Sequence, residues 1–176
     1  MQRMDDVHSH QQNNDGKGNV EAQQKIQEVR TFLEEVYNGV GERQEDLKSF
    51  SDQEILERAY KAMQEVLARE WAQREEGLPL ADPYEALILA SIVERETGLA
   101  AERAQIAGVF VRRLRKGMKL QTDPTVIYGM GERFEGNIRR RDLREDTPYN
   151  TYVHAGLTPT PICMPGADAI RAVLQP

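Results

Sequence analysis

The stretch DPYEALILASIVERETG, residues 82–98, decides how the chain folds. Asp82 followed by Pro83 predicts a helix start. The aspartate oxygen takes up a free backbone N–H, and proline at the first helical position loses only an N–H that had no partner anyway. The first two and a half turns, from Tyr84 to Val93, are apolar nearly all round, so this helix belongs at the centre of the fold. Gly98 stops it. The last turn carries Glu94, Arg95 and Glu96. Acids at a helix C-terminus oppose the macrodipole, and a locally unfavourable choice raises a functional question. Glu94 and Glu96 stand about 200° apart around a regular helix, so one can face a site while the other makes a structural contact. A glutamate emerging from apolar surroundings suits the general acid of glycoside cleavage. The plain alternative is a pair of solvated charges matched with Arg95 or Arg103.

Working outward, Ser51 with Glu54 three residues on predicts a capping box. The helix it opens carries the stripe Ile55, Leu56, Tyr60, Met63, Val66, Leu67 and Trp71, which reads as a core-facing stripe or a partner-docking face. Further upstream, Ile26, Val29, Phe32, Leu33, Val36 and Tyr37 have helical spacing, ended by Gly39 and Gly41. Residues 1–20 are rich in Gln, Asn, Asp and Gly and read as a disordered tail. His8 and His10 lie there without further ligands at matching distance. Downstream, a helix is expected from about Ala101 to Lys116, with Gly117 as its stop. Residues 118–166 read as short strands, turns and at most one short helix from Asp123-Pro124. A last helical pattern starts near Gly166 with Ile170, Val173 and Leu174. At barely two turns it is expected to gain little from packing. The fold class is therefore α+β and helix-rich, with a central buried helix followed by short strands and loops. The domain reading is a tail over 1–20, a helical segment over 21–50 and a main domain over 51–176.

The 176 residues carry 23 Lys+Arg and 29 Asp+Glu, a net charge of −6, which argues against whole-chain affinity for nucleic acid. No run of 18 apolar residues offers a membrane span, and no apolar leader is visible. Cys163 is the single cysteine, so no intrachain disulfide framework exists. No glycine-rich phosphate loop, metal-ligand set or Ser-His-Asp arrangement is present, so neither cofactor nor metal is expected. Two basic clusters stand out: Arg112, Arg113, Arg115, Lys116 and Lys119, then Arg139, Arg140, Arg141 and Arg144. Each reads as a solvated face or as a contact for an anionic polymer carrying peptide carboxylates. Gln121, Thr122, Asp123, Thr125 and Tyr128 form a run dense in groups that hydrogen-bond sugar hydroxyls and amides. Tyr149-Asn-Thr-Tyr152 is a second polar-aromatic cluster, and tyrosine can stack on a sugar face. His154 reads as a turn residue.

Three blocks taken together, LASIVERET (89–97), LQTDPTVIYG (120–129) and DTPYNTY (146–152), resemble the signature blocks of the endolytic murein transglycosylases, the YceG-like or MltG family. The resemblance is strong from about Tyr84 to Gly166. It implies cleavage of the β-1,4 bond between N-acetylmuramic acid and N-acetylglucosamine in nascent glycan strands. No water is added, and a 1,6-anhydro end remains. Glu96-Thr97 looks like the Glu-Ser pair that ends the corresponding helix in other lytic transglycosylases. The resemblance thus implies Glu96 as acid/base, with Glu94 second and orienting it. Gln121, Thr122, Asp123, Tyr128, Tyr149 and Asn150 would line the saccharide site. The implied partners are peptidoglycan strands and cell-wall synthesis proteins.

The sequence also departs from the family. Its typical members carry a membrane helix and a LysM-like domain before this region and a further segment after it. The resemblance therefore implies a relative truncated at both ends, with residues 1–50 unlike the family. Members face the periplasm from the inner membrane, whereas this chain shows no signal or anchor. Arg112 replaces a usual Asn, and Thr158, Thr160 and Met164 are substitutions in the loop 156–166. The rival expectations are a catalytically inactive relative that binds peptidoglycan or a partner protein, and a helical interaction protein docking through Ile55 to Trp71.

Overall fold

The computed structural model describes residues 51–176. The expected tail over 1–20 and the helix expected between Ile26 and Tyr37 lie outside the described residues, as do His8 and His10. The chain divides into two units, 1–62 and 63–176, with the boundary inside the first described helix.

That helix, α1 (Asp52–Ala72), starts as its sequence demands. Ser51 N–H donates to Glu54 Oε2 at 2.8 Å, and Glu54 N–H donates to Ser51 Oγ at 3.3 Å. This is the reciprocal capping box. The hydrogen bonds from Ser51 hold the Glu54 carboxyl below its usual range. Ile55, Ala59, Met63, Val66 and Leu67 are buried, whereas Leu56 and Tyr60 from the same expected stripe are exposed.

The second unit is organised around α2 (Pro83–Glu96). Asp82 Oδ1 accepts the Glu85 N–H at 2.9 Å, and Thr97 in extended conformation ends the helix. Every residue from Ala86 to Val93 is buried. Full burial of side chains such as Leu89 and Ile92 stabilises by about 1.5–3 kcal/mol each. After a 3-10 turn (Ala100–Glu102) comes α3 (Arg103–Arg115). It closes in a Schellman motif: Gly117 N–H donates to Leu114 O and Met118 N–H to Arg113 O. Gly117 takes the left-handed φ of 63° that this ending requires. Next come α4 (Asp123–Met130), 3-10 turns at Gly131–Arg133 and Asp142–Arg144, and α5 (Ala167–Leu174). α2 packs on α3, α4 and α5, and α3 also packs on α5.

Two expectations need correcting. The short strands expected between 118 and 166 do not form, and among the described residues all regular structure is helical, so these residues do not carry the α+β class. Threonine and tyrosine favour strands when they pack on a pleated face. Here the hydroxyls of Thr125, Thr151 and Thr158 instead bond nearby main-chain groups, and the Asn150 amide caps two carbonyls. That arrangement competes with a strand ladder. The second correction concerns α5. Ala169, Ile170, Val173 and Leu174 are all fully buried, so this short helix fills the core between α2 and α3.

Candidate active site

The last turn of α2 sends its two glutamates to different neighbours. Glu94 Oε1 accepts from Arg103 at 3.0 Å, and Glu94 Oε2 accepts the Gly166 backbone N–H at 2.9 Å. One carboxylate therefore joins the end of α2 to the first residue of α3 and the N-cap of α5. Arg103 is largely buried and also reaches Asp168 Oδ2 at 3.7 Å. The Glu96 side chain is exposed, and Glu96 Oε2 accepts the Thr122 hydroxyl. Thr97 spends its hydroxyl locally, accepting Leu99 N–H and donating to Glu102.

Thr122 is held from behind. Its own N–H donates to Thr151 Oγ1 at 3.1 Å, its carbonyl accepts from Thr125 Oγ1 at 2.8 Å, and the Thr125 and Thr151 hydroxyls lie 2.8 Å apart. All three threonines are buried, so the network is closed and rigid. Next to it, Gln121 adopts φ 55°, the one positive φ at a non-glycine among the described residues. Such a conformation persists where surrounding contacts over-determine it. Here Gln121 N–H donates to Thr151 O at 3.1 Å, and the Arg113 guanidinium donates to the carbonyl of fully buried Leu120. The Gln121 side chain is thereby left exposed.

Asp123 opens α4 and accepts the Tyr152 hydroxyl on Oδ1 at 2.6 Å. Burial, then this hydrogen bond and the charges of Asp123 and Glu96, push the Tyr152 phenol up to about 12. The hydroxyl thus remains a proton donor beside two carboxylates. Further along α4, the Tyr128 and Tyr149 rings meet edge-on, 4.8 Å between centroids. The approach depends on Gly129, where a Cβ would sit 2.7 Å from Thr147 Oγ1. Tyr149 is not free at its tip: its hydroxyl pairs with Thr160 Oγ1 at 2.8 Å, so a substituted loop residue fixes it. The loop itself is anchored on α2, because Ile162 N–H donates to Ser91 Oγ at 2.9 Å.

Of the residues singled out in sequence, Glu96, Thr122, Gln121 and Asp123 come together. Tyr128 and Tyr149 form a second group at the other end of α4. Glu94 and Asn150 face elsewhere. Asn150 is buried, with its amide donated to Asp142 O and Glu145 O and its oxygen accepting Tyr152 N–H. Sequence reasoning missed Tyr152, Thr151 and Arg113 as parts of this arrangement. The first two lay inside the YNTY cluster, whose polar-aromatic density was the one local signal for them. Among the described residues no three His, Cys, Asp or Glu converge as metal ligands, and no helix is long and apolar enough to cross a membrane.

The sequence profile of the YceG-like family matches residues 12–176. The chain belongs to the YceG-like family. That match takes in residues 21–50, which had read as unlike the family and lie outside the described residues. The chain is 45% identical over 93 residues to an endolytic murein transglycosylase of Bacillus subtilis, covering 53% of the chain and 26% of that protein. It is 38% identical over 95 residues to one of Streptococcus pneumoniae, covering 52% of the chain and 17% of that protein. The crystal structure of a YceG-like protein from Listeria monocytogenes superposes with a TM-score of 0.56 at 34% identity, over 71% of this chain and 40% of that one. The chain thus spans about a quarter or less of the curated relatives named here.

Proposed function

We propose that this chain carries the acid/base site of an endolytic lytic transglycosylase acting on peptidoglycan, with Glu96 as its catalytic residue. The observation that supports it best is the exposed Glu96 carboxylate, held on one oxygen by a buried threonine network. The bond from Thr122 fixes Oε2 and leaves Oε1 for proton transfer. In its acid form Glu96 donates a proton to the oxygen leaving C1 of the muramyl residue, and the C1–O bond breaks. The muramyl C6 hydroxyl oxygen then bonds to C1, and its proton passes to Glu96, restoring the acid. One carboxyl group serves twice, because the nucleophile belongs to the substrate. The intramolecular attack gains from proximity and needs no water.

Around it, Gln121 and Asp123 present polar groups to sugar hydroxyls and amides, and Tyr128 offers an exposed ring for stacking. Glu94, Asn150 and Tyr149 act as positioning residues in this reading, since their polar groups are already engaged within the protein. Mass spectrometry of glycan strands incubated with the protein tests the proposal. Anhydro-muramyl ends are expected. Reducing muramyl ends, or no products, would overturn it, and strand binding without products would favour a non-catalytic glycan-binding relative.

A further inference from the structure

A hollow of about 480 Å³ opens at the far end of α4, lined by Met130, Arg133, Arg141, Asp142, Arg144 and Glu145. Its charges do not balance. Asp142 is buried and occupied, accepting Arg139 N–H at 2.7 Å and facing Arg141 Nε at 3.5 Å. Glu145 accepts from Arg133 at 2.8 Å. The Arg144 guanidinium has no hydrogen-bond or ion-pair partner among the described residues, so three guanidinium groups face two carboxylates. The walls are fixed rather than loose, because the buried Asn150 amide donates to the carbonyls of Asp142 and Glu145. The next residues in the chain, Thr151 and Tyr152, belong to the Glu96 site. The eight residues of α4 carry the surface roughly 12 Å from Asp123 to Met130. A substrate longer than one sugar can therefore touch both ends.

We infer that this hollow binds the carboxylates of peptides attached to the glycan strand, using Arg144 as the open fork and Met130 as apolar floor. The inference rests on the proposed peptidoglycan substrate, but its test does not depend on cleavage. A guanidinium presents paired donors that match a carboxylate, and the hollow exceeds the size of a single ion.

Binding is measured with soluble glycan-strand fragments carrying their peptides, and with the same fragments stripped of peptides by an amidase. The protein is the Glu96→Gln variant, so that nothing is turned over. Peptide-bearing fragments are expected to bind roughly tenfold tighter, and Arg144→Ala is expected to erase the difference. Arg140→Ala removes an equal charge outside the lining and is expected to keep it. Equal binding of the two fragments, no binding of either, or equal losses in both arginine variants would overturn the inference. If the wild-type chain releases no anhydro ends while the peptide preference holds, the catalytic reading fails and this one stands.

Discussion

The two faces of the last turn of α2 receive the same kind of side chain and use it differently. On one face Glu94 is taken up by Arg103 and the Gly166 N–H, both from helical elements of the core. On the other, Glu96 meets a single hydroxyl and remains exposed. Where a carboxylate satisfies several fixed donors it becomes architecture, and its removal leaves those donors without a partner. Where it satisfies one donor on a rigid support, it keeps an oxygen for chemistry.

Substitutions can break or sharpen this contrast. Glu96→Gln is expected to lower release of anhydro-muramyl ends by about 10²-fold or more, with the unfolding midpoint in urea unchanged. Persistent release would move the acid/base role elsewhere. Glu94→Gln is expected to act first on stability, by about 1–3 kcal/mol, because largely buried Arg103 loses the nearer of its two carboxylate partners. A full loss of activity at unchanged midpoint would erase the distinction between the two faces. Gln121→Gly relieves a positive φ at the cost of backbone entropy. It is expected to raise stability by about 0.5 kcal/mol while weakening substrate affinity. Greater stability without a change in KM would show that the Gln121 side chain does not touch substrate.

The smallest effect is expected in alkali. The Tyr152 phenol is raised in the folded state to about 12, so its contribution is full below the unfolded value near 10. It is lost as pH rises from there through 12, because the unfolded chain gives up the proton first. Phenolate absorbance should show one late-ionising tyrosine that Tyr152→Phe removes. Asp123→Asn should bring it only part of the way down, since burial is the larger cause.

Much of the frame could be read from sequence because its signals are local. Asp82-Pro83, the Ser51/Glu54 box and Gly117 each mark a helix end within a few residues, and the structure follows all three. The spacing of Glu94 and Glu96 also separates their faces. It does not assign them, because the partners come from Arg103, Gly166 and Thr122, which are 9, 72 and 26 residues away. The threonine network escaped for the same reason, as Thr122 and Thr151 are 29 residues apart. Gln121 gave no hint, since glycine is the usual sign of a positive φ. Burial of α5 was missed because its length was weighed without the surfaces of α2 and α3, which pack on it while four of its side chains are fully buried.

The bond from Gly166 to Glu94 also has a consequence in time. It closes a span of 72 residues, and the turn that holds Glu96 is incomplete until that span has been made. At roughly 5–20 residues per second of synthesis, about 4–14 s separate the emergence of Glu94 from that of its partner. For that interval a nascent chain carries Glu96 without the brace that Gly166 supplies behind its turn, so synthesis order alone delays completion of that end of α2.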